Sequence, residues 1–205
     1  MIIENFHSES AWTAATVKLI LSLKPQTIAL SGGSTPSPIY KALSQNSGQI
    51  QFYQVDERYI PKNHPESNFK LIQETLKPKN FYYFDTSLPI GKCLKHYEKT
   101  LPATLDLCIL GIGPDGHTAS LFPHSKDLTT KAKVAHTQST QFAAKDRLTI
   151  TFPTILKSKT LLVLLKDKPE ILKELETPSK SEQEFPALKL LNHKDLQIIV
   201  LTTRP

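Results

Sequence analysis

The chain has 205 residues, 39% hydrophobic and 21% charged, and 25 Lys+Arg against 19 Asp+Glu give a formal net charge of +6. A chain of this length and ordinary composition can bury enough apolar surface to fold without a metal or a disulfide framework, so disordered, collagenous and disulfide-stapled classes are excluded. No apolar run approaches the ~18 residues of a membrane span, and MIIENFHSES lacks a basic segment followed by an apolar core. Cys93 and Cys108 have neither the number nor the spacing of a disulfide or CxxC site, so a reducing cytoplasm is expected.

Taken in chain order, residues 9–23 carry Ala11, Ala14, Ala15, Val17, Leu19 and Leu21 and predict a first helix. TIALS, from Thr27, is a short apolar run ending in Gly-Gly and is the first predicted strand. SGGSTPSP follows, then a helix at IYKAL, for which Thr35-Pro36 and Ser37-Pro38 each offer a cap followed by proline. Residues 49–55 alternate as a strand and run into the polar, proline-punctuated loop DERYIPKNHPESN. SNFKLIQETL predicts a helix capped by Ser67, FYYF (81–84) a strand, CLKHYEKTL (93–101) a helix and DLCILGI (106–112) a central strand. After GPDGHTASLFP come strands at 133–137, 147–152 and 160–165, a helix at 168–175, a polar loop, a short helix at ALKLL and a last strand at 196–201. Strands alternating with helices predict one α/β domain over residues 1–205, a mostly parallel sheet with helices on both faces. Ligands of such sheets bind beyond the carboxyl ends of the strands.

Glycine is the informative count. Only 7 are present, and five of them, Gly32, Gly33, Gly111, Gly113 and Gly116, fall in two loops that each follow a predicted strand. Glycine permits positive φ and close approach of backbone to ligand. SGGSTP, a strand, a glycine turn, hydroxyls and then a helix start, suits an anion held by backbone N–H groups. It lacks the lysine of a nucleotide P-loop. The second loop contains G-x-G-x-x-G, but it lies mid-chain, Pro114 interrupts it and no acidic residue stands about 20 positions on, so a dinucleotide site is not expected. It carries His117 two residues after Asp115, and a carboxylate that orients an imidazole is a general-base arrangement. DER (56–58) sets Asp56 and Glu57 beside Arg58 at a strand end, where carboxylates can handle a proton and a guanidinium can hold an anion. Arg147 at the start of a strand and Lys168 at the end of one lie within reach of the same anion. The remaining histidines show no metal-ligand spacing, Cys108 reads as core, and without a GxSxG elbow Ser34 and Ser120 are weak nucleophiles. The basic residues are scattered, with no run of five, so a nucleic-acid partner is not expected.

SGGSTP, DER with a downstream SN, GIGPDGHTASLFP and RLTITFP, in this order, resemble the 6-phosphogluconolactonases of the glucosamine-6-phosphate isomerase/6-phosphogluconolactonase family. The resemblance runs from about Thr27 to Lys168 and implies a modified Rossmann-like fold of the glucosamine-6-phosphate deaminase and ribose-5-phosphate isomerase group. It implies hydrolysis of a sugar-phosphate lactone, 6-phospho-D-glucono-1,5-lactone, in the oxidative pentose phosphate pathway, with no metal and no cofactor. His117 matches the general base, Asp115 its orienting partner, and Asp56 a carboxylate at the sugar ring. Gly33, Ser34 and Thr35 match the substrate loop. Arg58, Arg147 and Lys168 are expected to contact phosphate and sugar. The chain departs from the family in being short and in lacking a glycine ahead of Lys168.

Two rival functions remain at this point. An amino-sugar-phosphate isomerase or deaminase would carry a glutamate a few residues after the DGH histidine, where this chain has Leu121 and Phe122. A non-catalytic sugar-phosphate sensor would need a DNA-binding module, and only 26 residues precede the first predicted strand. Oligomeric state is not legible.

Overall fold

The computed structural model describes residues 1–140 and 142–203. Along them run β1 (Ile2–Phe6), α1 (Glu9–Ser22), β2 (Thr27–Leu30), α2 (Ser37–Leu43), β3 (Gln51–Gln54), β4 (Asp56–Arg58), α3 (Asn68–Thr75), β5 (Asn80–Tyr82), α4 (Ile90–Thr100), β6 (Leu107–Leu110), β7 (Val134–Gln138), β8 (Asp146–Ile150), α5 (Phe152–Ile155), β9 (Thr160–Lys166), α6 (Pro169–Glu176) and β10 (Leu196–Leu201). A sheet of order β1-β10-β9-β6-β2-β3-β5 is parallel at every neighbouring pair.

The central strands are continuous apolar runs because both faces of the sheet are covered. Successive residues of a strand enter opposite layers. Leu107 and Ile109 of β6, with Leu162 and Leu164 of β9, pack under α1, α2 and α3 through Trp12, Ile20, Ile39, Tyr40, Leu43 and Ile72. Cys108 and Leu110, with Leu161, Val163 and Leu165, pack on the other side against α4, α5 and α6 through Cys93, Tyr97, Phe152, Ile155, Ile171 and Leu175. Trp12 is fully buried, and its indole N–H donates to the Ile199 carbonyl at 3.4 Å. At roughly 25 cal/mol per Å² of apolar surface removed from water, these two layers are the main source of stability.

The topology makes the binding edge. From β2 the chain moves outward to β3 and β5, then returns to place β6 on the opposite side of β2, with Leu30 paired to Ile109. The loops that leave β2 and β6 are therefore neighbours at a switch point, the crevice where open parallel sheets bind ligands. Both glycine loops meet there.

Five sequence expectations are corrected. The first strand is β1, not β2. It is an edge strand paired with β10, so its burial is partial, and IIENF shows no continuous apolar run. The predicted strands at 133–137 and 147–152 do not join the main sheet. As β7 and β8 they form a second, antiparallel sheet with β4, and β4 is DER itself, expected as loop. Local alternation identifies a strand but not its sheet. The cap of α2 is Pro36, without a side-chain hydrogen bond, while the Ser37 hydroxyl donates back to the Gly33 carbonyl at 3.2 Å. ALKLL forms part of a 3₁₀ helix, Pro186–Asn192. The expected cap Ser67 accepts an amide bond from Lys70, and on α1 Ser8 accepts one from Ala11. Among the described residues no helix is long and apolar enough to cross a membrane.

Candidate active site

A cavity of about 250 Å³ opens at the switch point, and Gly33, Ser34, Thr35, Asp56, Arg58, His117, Arg147 and Lys168 all line it. Eight of the nine residues that the resemblance marks thus converge from five separate segments. The ninth, Asp115, lies behind His117 and faces a neighbouring cavity instead.

The His117 loop is built by its own backbone. The Gly113 amide donates to the His117 carbonyl at 2.8 Å, and the Gly116 amide donates to the Gly113 carbonyl at 3.0 Å. The imidazole lies against Gly113 so closely that a Cβ there would sit 2.1 Å from Cε1. Gly116 turns the chain at φ +82°, with the Phe185 ring where a side chain would be. His117 Nδ1 lies 2.5 Å from Asp115 Oδ1, and the His117 amide donates to the same oxygen at 3.2 Å. Burial works against ionisation of Asp115, but its hydrogen bond to His117 and the imidazole charge outweigh it and hold the carboxyl below its ordinary value. An ionised carboxylate only accepts. The shared hydrogen therefore sits on Nδ1, and in the neutral ring this leaves the lone pair on Nε2.

Across the cavity the SGG loop is anchored from below. The buried Tyr40 hydroxyl donates to the Ser31 carbonyl at 2.8 Å, and the Ser31 amide donates to the Ile109 carbonyl of β6 at 3.2 Å. Gly33 has φ +97°, a left-handed conformation that glycine adopts without strain. Gly32 is needed for a different reason: a Cβ would fall 1.9 Å from Asn68 Oδ1. Asn68 also lines the cavity. Its side-chain Nδ2 donates to Asp56 Oδ1 at 3.2 Å and to the Asp56 carbonyl at 2.9 Å. The Ser120 hydroxyl donates to Asp56 Oδ2 at 2.7 Å, so both oxygens of this buried carboxylate are fixed.

Arg58 and Arg147 stand directly opposite each other on β4 and β8. Like charges facing across an antiparallel pair repel, and this pair is oriented by carbonyls rather than neutralised. The Arg58 guanidinium donates to the Glu66 carbonyl, and Arg147 Nε donates to the Ala144 carbonyl at 2.9 Å. Burial pulls the Arg147 guanidinium below its ordinary value, the Arg58 charge adds to the shift, and Asp56, Glu66 and Glu57 oppose it. Lys168 reaches in from the start of α6, donating to the Ile112 carbonyl; burial lowers its ammonium against the opposing charge of Glu170. Three cations thus face one small cavity where, among the described residues, Asp56 is the single carboxylate, an arrangement suited to an anion with several oxygens.

Glu57, read in the sequence as a second carboxylate of the DER site, does not line the cavity. Asn68, Phe122 and Phe142 do line it and were not singled out as site residues. Phe142 lies edge-on to the His117 ring at 5.9 Å and under the Arg147 guanidinium at 5.2 Å. The SN dipeptide could have flagged Asn68; nothing local marks Phe142. Ser120, weighed only as a weak nucleophile, is buried and committed to Asp56. The G-x-G-x-x-G stretch closes on its own imidazole rather than opening a helix.

The model of the family described as Glucosamine-6-phosphate isomerases/6-phosphogluconolactonase matches residues 8–199. A probable 6-phosphogluconolactonase of Dictyostelium discoideum is 36% identical over 188 residues, covering 81% of this chain and 80% of the relative. The 6-phosphogluconolactonase of Thermotoga maritima is 37% identical over 173 residues, covering 74% and 77%. The crystal structure of a Thermotoga maritima 6-phosphogluconolactonase superposes with a TM-score of 0.84 at 30% identity, over 98% of this chain and 99% of that one. On these grounds the chain belongs to the glucosamine-6-phosphate isomerase/6-phosphogluconolactonase family.

Proposed function

We propose that the protein hydrolyses 6-phospho-D-glucono-1,5-lactone to 6-phospho-D-gluconate, a step of the oxidative pentose phosphate pathway, without metal or cofactor. The observation that carries this reading is His117, backed by Asp115, in one cavity with Arg58 and Arg147. The arginine pair takes the phosphate, which relieves their mutual repulsion. Asp56, fixed by Asn68 and Ser120, accepts from a sugar hydroxyl. Lys168, with its half-buried ammonium, contacts sugar or phosphate oxygens.

His117 Nε2 takes a proton from water, and the oxygen attacks the lactone carbonyl carbon. Asp115 holds the ring in the right tautomer and stabilises the imidazolium that forms. The tetrahedral oxyanion needs preorganised donors, and in this reading the SGG loop amides, backed by the Tyr40 anchor, supply them. Collapse of the intermediate breaks the bond to the ring oxygen, which receives the proton from the imidazolium. The product is the open-chain acid, and His117 returns to its starting state.

The isomerase or deaminase reading lacks its carboxylate: the positions after the DGH loop hold Leu121 and Phe122, both buried apolar side chains. We further propose that residues 1–205 act as one catalytic domain, supported by two apolar layers that share one sheet, and that the protein works in the cytoplasm on small molecules rather than on nucleic acid or membranes. The two buried free thiols support that placement.

The test generates lactone in situ from glucose 6-phosphate with a dehydrogenase and follows its decay with and without the protein. Faster decay is expected, with His117→Ala lowering kcat by roughly 10²–10⁴ and leaving KM nearly unchanged. No acceleration over spontaneous hydrolysis, or a fully active variant, refutes the reading.

A further inference from the structure

The DER strand contributes Asp56 and Arg58 to the cavity and turns Glu57 away from it. Glu57 is 1% exposed, yet no step of the proposed chemistry uses it. Its carboxylate accepts five hydrogen bonds. Oε1 takes the Arg58 amide at 2.7 Å and the Asn68 amide at 2.9 Å. Oε2 takes the Phe69 amide at 2.7 Å, Gln54 Nε2 at 2.8 Å and the Ser67 hydroxyl at 3.0 Å. Burial holds this carboxyl above its ordinary value, and the amides of Phe69, Asn68 and Arg58 together with Gln54 offset that shift only in part.

These five donors are not an arbitrary set. Two are the first amides of α3, which no intrahelical carbonyl can satisfy. Their capture ties the segment Glu66–Ser67–Asn68 onto β4. The Glu66 carbonyl is the acceptor that orients the Arg58 guanidinium, and the Arg58 main chain is held by Glu57 directly. One buried carboxylate therefore fixes both ends of this arginine. The same contact disposes of an alternative: because Glu57 occupies the amides of α3, that helix start is not open to a ligand phosphate.

We infer that Glu57 is a positioning residue that sets the Arg58 guanidinium for an anionic group on the substrate, and so tunes the preference for phosphorylated over unphosphorylated lactones. This rests on the assignment of Arg58 to the phosphate.

The test compares kcat/KM for 6-phospho-D-glucono-1,5-lactone and for D-glucono-1,5-lactone in folded, purified variants. Glu57→Gln keeps the size of the side chain, but whichever way its amide turns, its NH₂ meets at least two of the present donors. The ratio of the two kcat/KM values is expected to fall at least tenfold, through KM of the phosphorylated substrate, while the unphosphorylated one changes by less than threefold. Arg58→Ala is expected to lower the same ratio, and adding Glu57→Gln to it should cost no more than a further twofold. Equal losses on both substrates mean a purely structural role and overturn the inference, as does a full additional loss in the double variant. An unchanged ratio in Arg58→Ala removes the phosphate assignment itself, and the inference with it; a low ratio there with a normal one in Glu57→Gln removes only the role of Glu57. If Glu57→Gln is not recovered folded, Glu57→Asp carries the test: it keeps the charge but falls one methylene short. A threefold or larger fall in its ratio is expected, and none refutes the inference.

Discussion

Gly113→Ala isolates the seating of the imidazole from everything else in the site. The backbone at Gly113 does not require positive φ, so alanine is tolerated conformationally. The added Cβ, however, would stand 2.1 Å from His117 Cε1, 2.2 Å from Nδ1 and 2.9 Å from Nε2. Ordinary contact begins near 3.4 Å, so the ring must retreat by roughly 1 Å or more, a displacement that can cost about 10² in rate. The 2.5 Å bond to Asp115 cannot survive that movement, because Asp115 is fixed to the same loop backbone. Overpacking of this kind costs about 1–3 kcal/mol, which for a chain of this size lowers Tm by roughly 2–12 °C. We therefore expect a folded variant with kcat down by about 10²-fold or more and KM nearly unchanged, since the arginines and the SGG loop are untouched. Gly91→Ala is the control: it lies in α4 with nothing within 4 Å of its added Cβ, so it should keep full activity and gain slightly in stability. Lactone decay at saturating substrate, alongside thermal melts, gives the answer. A Gly113→Ala enzyme with kcat within threefold of the parent would show that the imidazole does no chemistry from this position.

Two further outcomes follow from the structure. Asp115 has its folded carboxyl below its unfolded value, so its contribution to stability is present above the usual carboxylate range and disappears as pH falls through the depressed folded value. In urea melts, the stability gap between the parent and Asp115→Asn should narrow as pH falls below roughly 4; a gap that does not narrow there contradicts the pairing. Lys77, just past α3, sits at φ +51° while its amide donates to the Ile72 carbonyl at 3.4 Å, the left-handed stop that glycine fills best. Lys77→Gly should raise stability by up to about 1 kcal/mol, or roughly 2–4 °C in Tm, and a lower Tm would contradict that account.

Local order was largely written along the chain. Apolar runs such as TIAL and LLVLL mark buried parallel strands because both their faces need covering, and the scarcity of glycine exposes the two loops where backbone geometry is special. The DGH and SGGSTP motifs carried their own chemistry, since a histidine two residues from an aspartate is already within reach of it. What stayed out of reach depends on which segments meet. Alternation in Val134–Gln138 and Asp146–Ile150 gives strands but cannot assign them to a separate antiparallel sheet, because a strand chooses its neighbour through hydrogen bonds and packing far away in sequence. The opposition of Arg58 to Arg147, 89 positions apart, exists only through that pairing. Glu57 reads in sequence like its neighbour Asp56, yet successive residues of a strand face opposite sides: the pleat sends one carboxylate to the cavity and buries the other beneath α3. Composition and spacing thus supplied the reactive groups, and tertiary contacts decided which of them share a cavity.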